Sequence, residues 1–541
     1  MATIINFDSE SEAQTESERH WVFATEVKQL ETEKAMLVRV ADKQIAMFDT
    51  ESGFRACDNR CPHEGYPLSQ GSVSGKCILT CNWHNWKFDL EDGANLFGGD
   101  RLRTYEVQQR GPEIWLDITE LPVAERRAII QKSLHDAFND HEYDRIAREI
   151  SRLIRLGDDP CDVLRLAIVW SWRHLEFGWT HAYAGLADWL ILFDENSKHA
   201  ELQLVSLVEA VGHISFDVLR EPEYPYTEEV FAFNEIELIA AIENEDETKA
   251  LGIIRGGLRD GLHFNDFEPA LTQAALAHYY DFGHSLIYLS KTAELINRLG
   301  LEVEEALLLS LLRQFIYAVR EDKIPEFSGY ESALKKWGKA TKAGLDTATW
   351  RKAGIGKSLK ATLAISDLAP EVIYQKLLTI NALHLLSFDI AQQDKIKVTV
   401  SGNVGWLDFT HGLTFANAVG KQCMRFPDFW PQGLLQMACF SGRNAAFTRP
   451  EYDQTSWHSN DLEADIRKIL ESVFDHGQAE YIVSVHWLKL SLAVREEMRA
   501  STDKALAEIL VAALNRFIAS PLKRKQTRRT AYQSLQFVAK E

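Results

Sequence analysis

The sequence predicts a small all-β domain followed by a large all-α domain built of helical pseudo-repeats, and three observations carry that prediction. Between residues 20 and about 119, short alternating apolar and polar runs are punctuated by Gly, Asp and Asn. From about residue 124 onward, apolar residues recur at three- and four-residue intervals in long segments with few strand-like runs. Segments of this helical part can also be laid over one another with short gaps, the mark of stacked helical pairs that cannot bury their apolar faces alone. At 541 residues the chain is too long for one ordinary core. The expected division is a flexible N-terminus at 1–19, the β domain at 20–119 and the α domain at 120–541, with repeats at about 124–225, 230–325, 365–450 and 460–520.

The β domain is read from the runs "HWVFATEV", "AMLVRVADKQIAMFD", "KCILTC", "WKFDLE" and "EIWLDI". Four of the seven cysteines, Cys57, Cys61, Cys77 and Cys81, fall in one short window of it, which points to metal rather than to a disulfide framework. "CPHEGYPL" supplies Cys-x-His and "CNWHNWKFDLEDG" supplies Cys-x-x-His. Two thiolates and two imidazoles are also a tetrahedral zinc set.

On these two loops the sequence resembles the Rieske iron–sulfur domain over about one hundred residues. The resemblance implies a [2Fe–2S] cluster with Cys61 and Cys81 on one iron and His63 and His84 on the other. Neutral imidazoles lower the net negative charge around the cluster, so it accepts an electron more readily than an all-thiolate ferredoxin. The second loop departs from the usual family pattern, with Asn82 where a Pro follows the Cys and Asn85 where a Gly follows the His. The extra Cys pair of the respiratory class is missing from the ligand loops, so the likeness is to the ferredoxin and oxygenase branch. Trp83 and Trp86 are expected to shield the cluster, while Cys57 and Cys77 receive no role.

The helical repeats carry a histidine at the same place each time, at His181, His284, His411 and His486. Asp281 and His284 are three apart, as are Asp408 and His411, so each carboxylate and imidazole share a helix face; Glu176 stands five before His181. Carboxylate-x-x-His on facing helices is how di-iron bundles are built. Glu176, His181, Asp281, His284, Asp408, His411 and His486 are therefore the candidates for a second metal or substrate site, with a non-haem iron as the candidate metal. The competing reading is that these histidines are packing units, as is the expectation for Trp170, Trp172, Trp179 and Trp189.

Several function classes are disfavoured. A formal net charge of -20 opposes general nucleic-acid binding. No segment reads as a membrane span, and the acidic N-terminus lacks the features of an export signal, so the expected location is the cytoplasm. "WRKAGIGKSLKA" is not a phosphate-binding loop, since Arg351 stands where its first Gly must be. The mononuclear iron motif of Rieske oxygenase catalytic domains is absent, with Leu289 and Ala416 at the place of its second histidine. The expected function is an oxidoreductase of oxygenase type. A reductase or ferredoxin donates single electrons, the cluster passes them to the helical domain, and a small organic substrate is oxidised there. The alternative is a redox-relay or redox-sensing protein whose repeats bind a protein partner.

Overall fold

A computed structural model of the protein describes residues 19–541 apart from 98, 279, 321–322 and 340–345, and apart from the side chains of 280, 281 and 401. The expected flexible segment 1–19 lies, but for its last residue, outside the described residues. The chain divides into two compact units, one reaching Ala137 and taking in Arg155–Gly157, the other formed by Phe138–Ile154 and Asp158–Glu541. The division falls near the end of the helix Val123–Asn139, most of which clusters with the β unit.

The first unit contains two antiparallel sheets. Strands β1 (Trp21–Glu26), β2 (Ala35–Val40), β3 (Lys43–Thr50), β4 (Gly53–Asp58), β9 (Thr104–Arg110) and β10 (Glu113–Asp117) form one, in the order β1-β10-β9-β4-β3-β2. The short strands β5 (Ser72–Val73), β6 (Ile78–Thr80), β7 (Lys87–Asp89) and β8 (Asn95–Phe97) form the other in sequence order. Alternation sorts the faces: Ile45 and Met47 point into one apolar cluster and Ala46 and Phe48 into a second. The second cluster also holds Cys57, Cys61, Cys77, Cys81 and Phe88, so the motif loops stand on a packed base.

Among the described residues, every named element of the second unit is a helix, joined by loops and two isolated β-bridges. Four long helices matter for function: His181–Glu195, Tyr280–Leu299, Trp406–Arg425 and Tyr481–Ala500, one from each predicted repeat. They pack as a closed ring in which each touches the next and the last touches the first. Cross-links at matching levels show that neighbours run in the same direction. Asp188 and Lys291, each seven residues beyond a ring histidine, meet at 2.8 Å. Ten residues beyond theirs, Lys421 meets Glu294 at 3.2 Å and Glu496 at 2.8 Å. Arg495 bonds Glu195 at 2.8 Å and closes the circle. Parallel neighbours need long connections, and the remaining helices of each repeat supply them.

Two glycines set how closely the ring packs. A Cβ on Gly185 would stand 2.5 Å from Val485 Cγ2, and one on Gly283 would stand 2.1 Å from Phe415 Cδ2. Gly283 also takes a φ of 86°, in the left-handed region that costs glycine little. Among the described residues no helix is long and apolar enough to cross a membrane.

Candidate metal centres

The two motif loops of the β unit have the same backbone design. In the first, Cys61 N–H donates to Tyr66 O and Gly65 N–H to Cys61 O; in the second, Cys81 N–H donates to Trp86 O and Asn85 N–H to Cys81 O. The fifth residue of each loop is left-handed, Gly65 at φ 76° and Asn85 at φ 62°. Asn is among the few side chains that tolerate this region, so the departure at Asn85 keeps the loop geometry instead of changing it. Asn82 staples the loop from outside, donating to Gln70 O at 2.8 Å and accepting from Ser72 Oγ at 2.9 Å.

The loops bring the four motif side chains together. Cys61 and Cys81 are buried with their thiols within hydrogen-bonding reach of each other. The His63 and His84 rings lie 4.7 Å apart, and buried His63 Nδ1 has no hydrogen-bond partner. A buried imidazole nitrogen without a partner is costly unless a metal takes its lone pair, so these residues fit a cluster with two thiolate and two imidazole ligands. Trp86 stacks on His63 at 4.6 Å and covers it, whereas Trp83 is 60% exposed and does not. Cys57 is fully buried in β4 and Cys77 Sγ contacts Ser52 Oγ; both belong to the core.

In the helical unit His181, His284, His411 and His486 occupy the first two turns of the four ring helices. Their rings form a square, with neighbouring centroids 4.6, 4.5, 5.0 and 4.9 Å apart and His181 and His411 at 6.0 Å across one diagonal. His284 Nε2 lies 3.1 Å from His181 Nε2, and His486 Nε2 lies 3.4 Å from His411 Nε2. His411 Nδ1 donates to Leu407 O and His486 Nδ1 to Ile482 O, each at 2.6 Å. These bonds place the protons on Nδ1 and leave the Nε2 lone pairs facing inward. Facing lone pairs repel unless a cation or proton lies between them, and an imidazole that donates its far N–H to a carbonyl is oriented as metal ligands are.

Burial first, and then the charge of Lys489, holds His181, His411 and His486 well below the usual imidazole pKa, so all three are neutral at pH 7. Lys489, 4% exposed, stands 3.3 Å from His411 Nε2, and burial pushes its pKa down to about 7. Tyr288 Oη lies 3.4 Å from His181 Nδ1.

Below the square the ring encloses a cavity of about 610 Å³, lined solely by the four helices. Ala184, Ile287, Thr414 and Lys489 form its inner end, each three residues after a ring histidine; Arg495 and Arg499 lie toward the other. Asp188 and Lys291 pair in its wall.

Two of the predicted carboxylates, Glu176 and Asp408, stand outside the square. Asp408 Oδ2 accepts from Gly405 N–H at 2.8 Å, because the N-terminus of the helix needs an acceptor there, and Glu176 is exposed in the preceding turn. The side chain of Asp281 lies outside the described residues. In the helical unit, His181, His411 and His486 offer donor atoms within 4.8 Å of one another with no carboxylate among them; in the β unit, His63, Glu64 and His84 form a second such group. Trp179 and Trp189 are core residues away from the cavity lining. Lys489, Tyr288 and Asp188 were not anticipated; the signal for Lys489 was its place three residues after His486, on the same helix face.

Two sheets presenting paired Cys and His loops define the first unit as an iron–sulfur electron carrier. The Rieske [2Fe-2S] domain family matches residues 20–100, and no family matches the region beyond it. The 3-phenylpropionate/cinnamic acid dioxygenase ferredoxin subunit of Shigella boydii is 32% identical over 78 residues, which cover 14% of this chain and 74% of that protein. The methanesulfonate monooxygenase ferredoxin subunit of Methylosulfonomonas methylovora is 29% identical over 101 residues, 18% of this chain and 82% of that one. The 4beta-methylsterol monooxygenase of Methylococcus capsulatus is 34% identical over 112 residues, and there the chain spans only 30% of its relative. Through its N-terminal domain the chain belongs to the Rieske [2Fe-2S] family.

Proposed function

We propose that the protein is an oxygenase-type oxidoreductase of the cytoplasm. A separate reductase or ferredoxin reduces the cluster held by Cys61, His63, Cys81 and His84. The cluster passes single electrons to a redox-active ion, iron or copper, held by His181, His284, His411 and His486, where dioxygen oxidises a small organic substrate. The observation that carries this reading is the convergence of four imidazoles, three buried and His181 half-buried, one from each repeat, one helical turn from the residues that line a cavity. Imidazole suits iron and copper alike, and a neutral ligand set leaves the ion's charge uncompensated for an anionic partner.

The electron count constrains the cycle. Placing one oxygen atom of O2 in an organic product and releasing the other as water takes two electrons and two protons, so a one-electron carrier must deliver twice. Of the chain's own residues, Lys489 and Thr414 line the inner end of the cavity, where a substrate would stop. A scaffold whose repeats only bind a protein partner needs apolar contacts but no convergent histidines.

The test is reoxidation of the dithionite-reduced cluster by O2, followed by its visible spectrum. Replacing His284 and His411 together is expected to slow reoxidation at least tenfold while leaving the oxidised spectrum unchanged. An unchanged rate in that variant would remove the histidine square from the electron path.

A further inference from the structure

The cavity wall holds two buried groups whose bonding is incomplete. Lys489 lines the inner end at 4% exposure, and its hydrogen-bond partner is the imidazole of His411. The other four cations of the lining all have carboxylate partners: Lys291 with Asp188, Lys421 with Glu294, Arg495 with Glu195 and Arg499 with Glu463. Lys489 alone among the described lining cations has no carboxylate within ion-pair distance, although the charge of Asp188 reaches it. Asp188, 1% exposed, is joined to Lys291 through Oδ1, while its Oδ2 is buried without a partner. A buried cation calls for a counter-charge, and a buried carboxylate oxygen calls for a donor.

We propose that the substrate is a small hydroxylated carboxylate, bound with its carboxylate on Lys489 Nζ and its hydroxyl donating to Asp188 Oδ2. The proposal rests on reading the bundle lumen as the place where substrate meets the histidine square. Lysine and aspartate are then positioning residues that hold the molecule at the inner end, its carboxylate beside Lys489. The cavity, at about 610 Å³, takes a molecule larger than a two- or three-carbon acid. Its lining contains no aromatic side chain, so selection comes from these polar groups and from Ile191, Ile287 and Leu492.

The test uses the full chain and three matched probes. Mandelate carries both groups, phenylacetate lacks the hydroxyl, and 1-phenyl-1,2-ethanediol lacks the carboxylate. Isothermal titration calorimetry is expected to show mandelate binding at least tenfold more tightly than either relative. Lys489→Met should weaken mandelate and phenylacetate at least tenfold and leave the diol unchanged. Asp188→Leu, in which Lys291 keeps Glu294, should bring mandelate and phenylacetate to within about twofold of each other. Equal affinities of the wild type for the three probes, or no binding of any, would overturn the proposal without need of the variants. Metal per chain is measured on the same samples. Selectivity retained in protein without bound metal would contradict the metal reading and leave this proposal standing; lost selectivity with metal in place would do the reverse.

Discussion

Gly185→Ala tests whether the ring of helices is as tight as the histidine square requires. The added methyl would sit 2.5 Å from Val485 Cγ2, about 1 Å inside ordinary carbon contact, at the crossing of the helices that carry His181 and His486. Overpacking of this kind costs about 1–3 kcal/mol, whereas Ala in place of Gly inside a helix returns about 1 kcal/mol. The expected net loss is about 1 kcal/mol, read as a lower urea midpoint. Metal per chain should fall as well, since the His181 and His486 rings, now 4.9 Å apart, are pushed away from each other. Val485→Ala removes the colliding methyl, so the pair of substitutions should recover both stability and metal beyond the sum of the singles. The cycle is expected to give a coupling of about 1 kcal/mol or more. Strictly additive effects, or a stabilising Gly185→Ala, would refute the close crossing and with it the geometry of the square.

Three further outcomes are expected. Burial holds the Asp217 carboxyl up at about 6, although the Thr180 hydroxyl donates to it. The native state therefore binds more protons than the unfolded chain between about pH 4 and 6, and stability falls by about 3 kcal/mol as pH rises through that window. His213 stands 3.8 Å away but burial pushes it down to about 3, so it is neutral at pH 7 and provides no ion pair. Asp217→Asn should thus raise the urea midpoint at pH 7.5 and have little effect near pH 4. In the β unit, Asn85→Gly should keep the Rieske visible spectrum, whereas Asn85→Ala should cost about 1–2 kcal/mol at a left-handed position and lose colour at a lower temperature. Trp86→Ala should accelerate bleaching by a chelator because it uncovers His63, while Trp83→Ala, at an exposed site, should not.

The cluster site was legible in sequence because each loop carries its own Cys and His within a few residues, and local backbone bonds alone bring them into place. The histidine square was legible through repetition: four sequence-equivalent positions become spatial neighbours when equivalent helices close a ring. Less legible was where the two described carboxylate candidates, Asp408 and Glu176, come to lie. Asp408 and His411 share a helix face, yet the free N–H groups at the helix start claimed the carboxylate. Glu176 belongs to a turn that leads into its helix and never faces the ring interior. Lys489 sits within "HWLKLSL", where its spacing puts it on the face of His486 but periodicity does not show that this face borders a cavity. A lumen is a property of four helices together, so it has no signature in any one of them. The helix Val123–Asn139 has helical periodicity and clusters with the β unit, a grouping that periodicity alone does not show.

The central claim is tested most directly by counting metal in a chain that cannot hold the cluster. Anaerobically purified protein carrying Cys61→Ser and Cys81→Ser is analysed for iron and copper, alone and with His284→Ala and His411→Ala added. The account predicts close to one iron or copper ion per chain in the first and its loss in the second. Metal that disappears entirely with the cluster ligands, leaving an intact and folded helical unit with none, would contradict it.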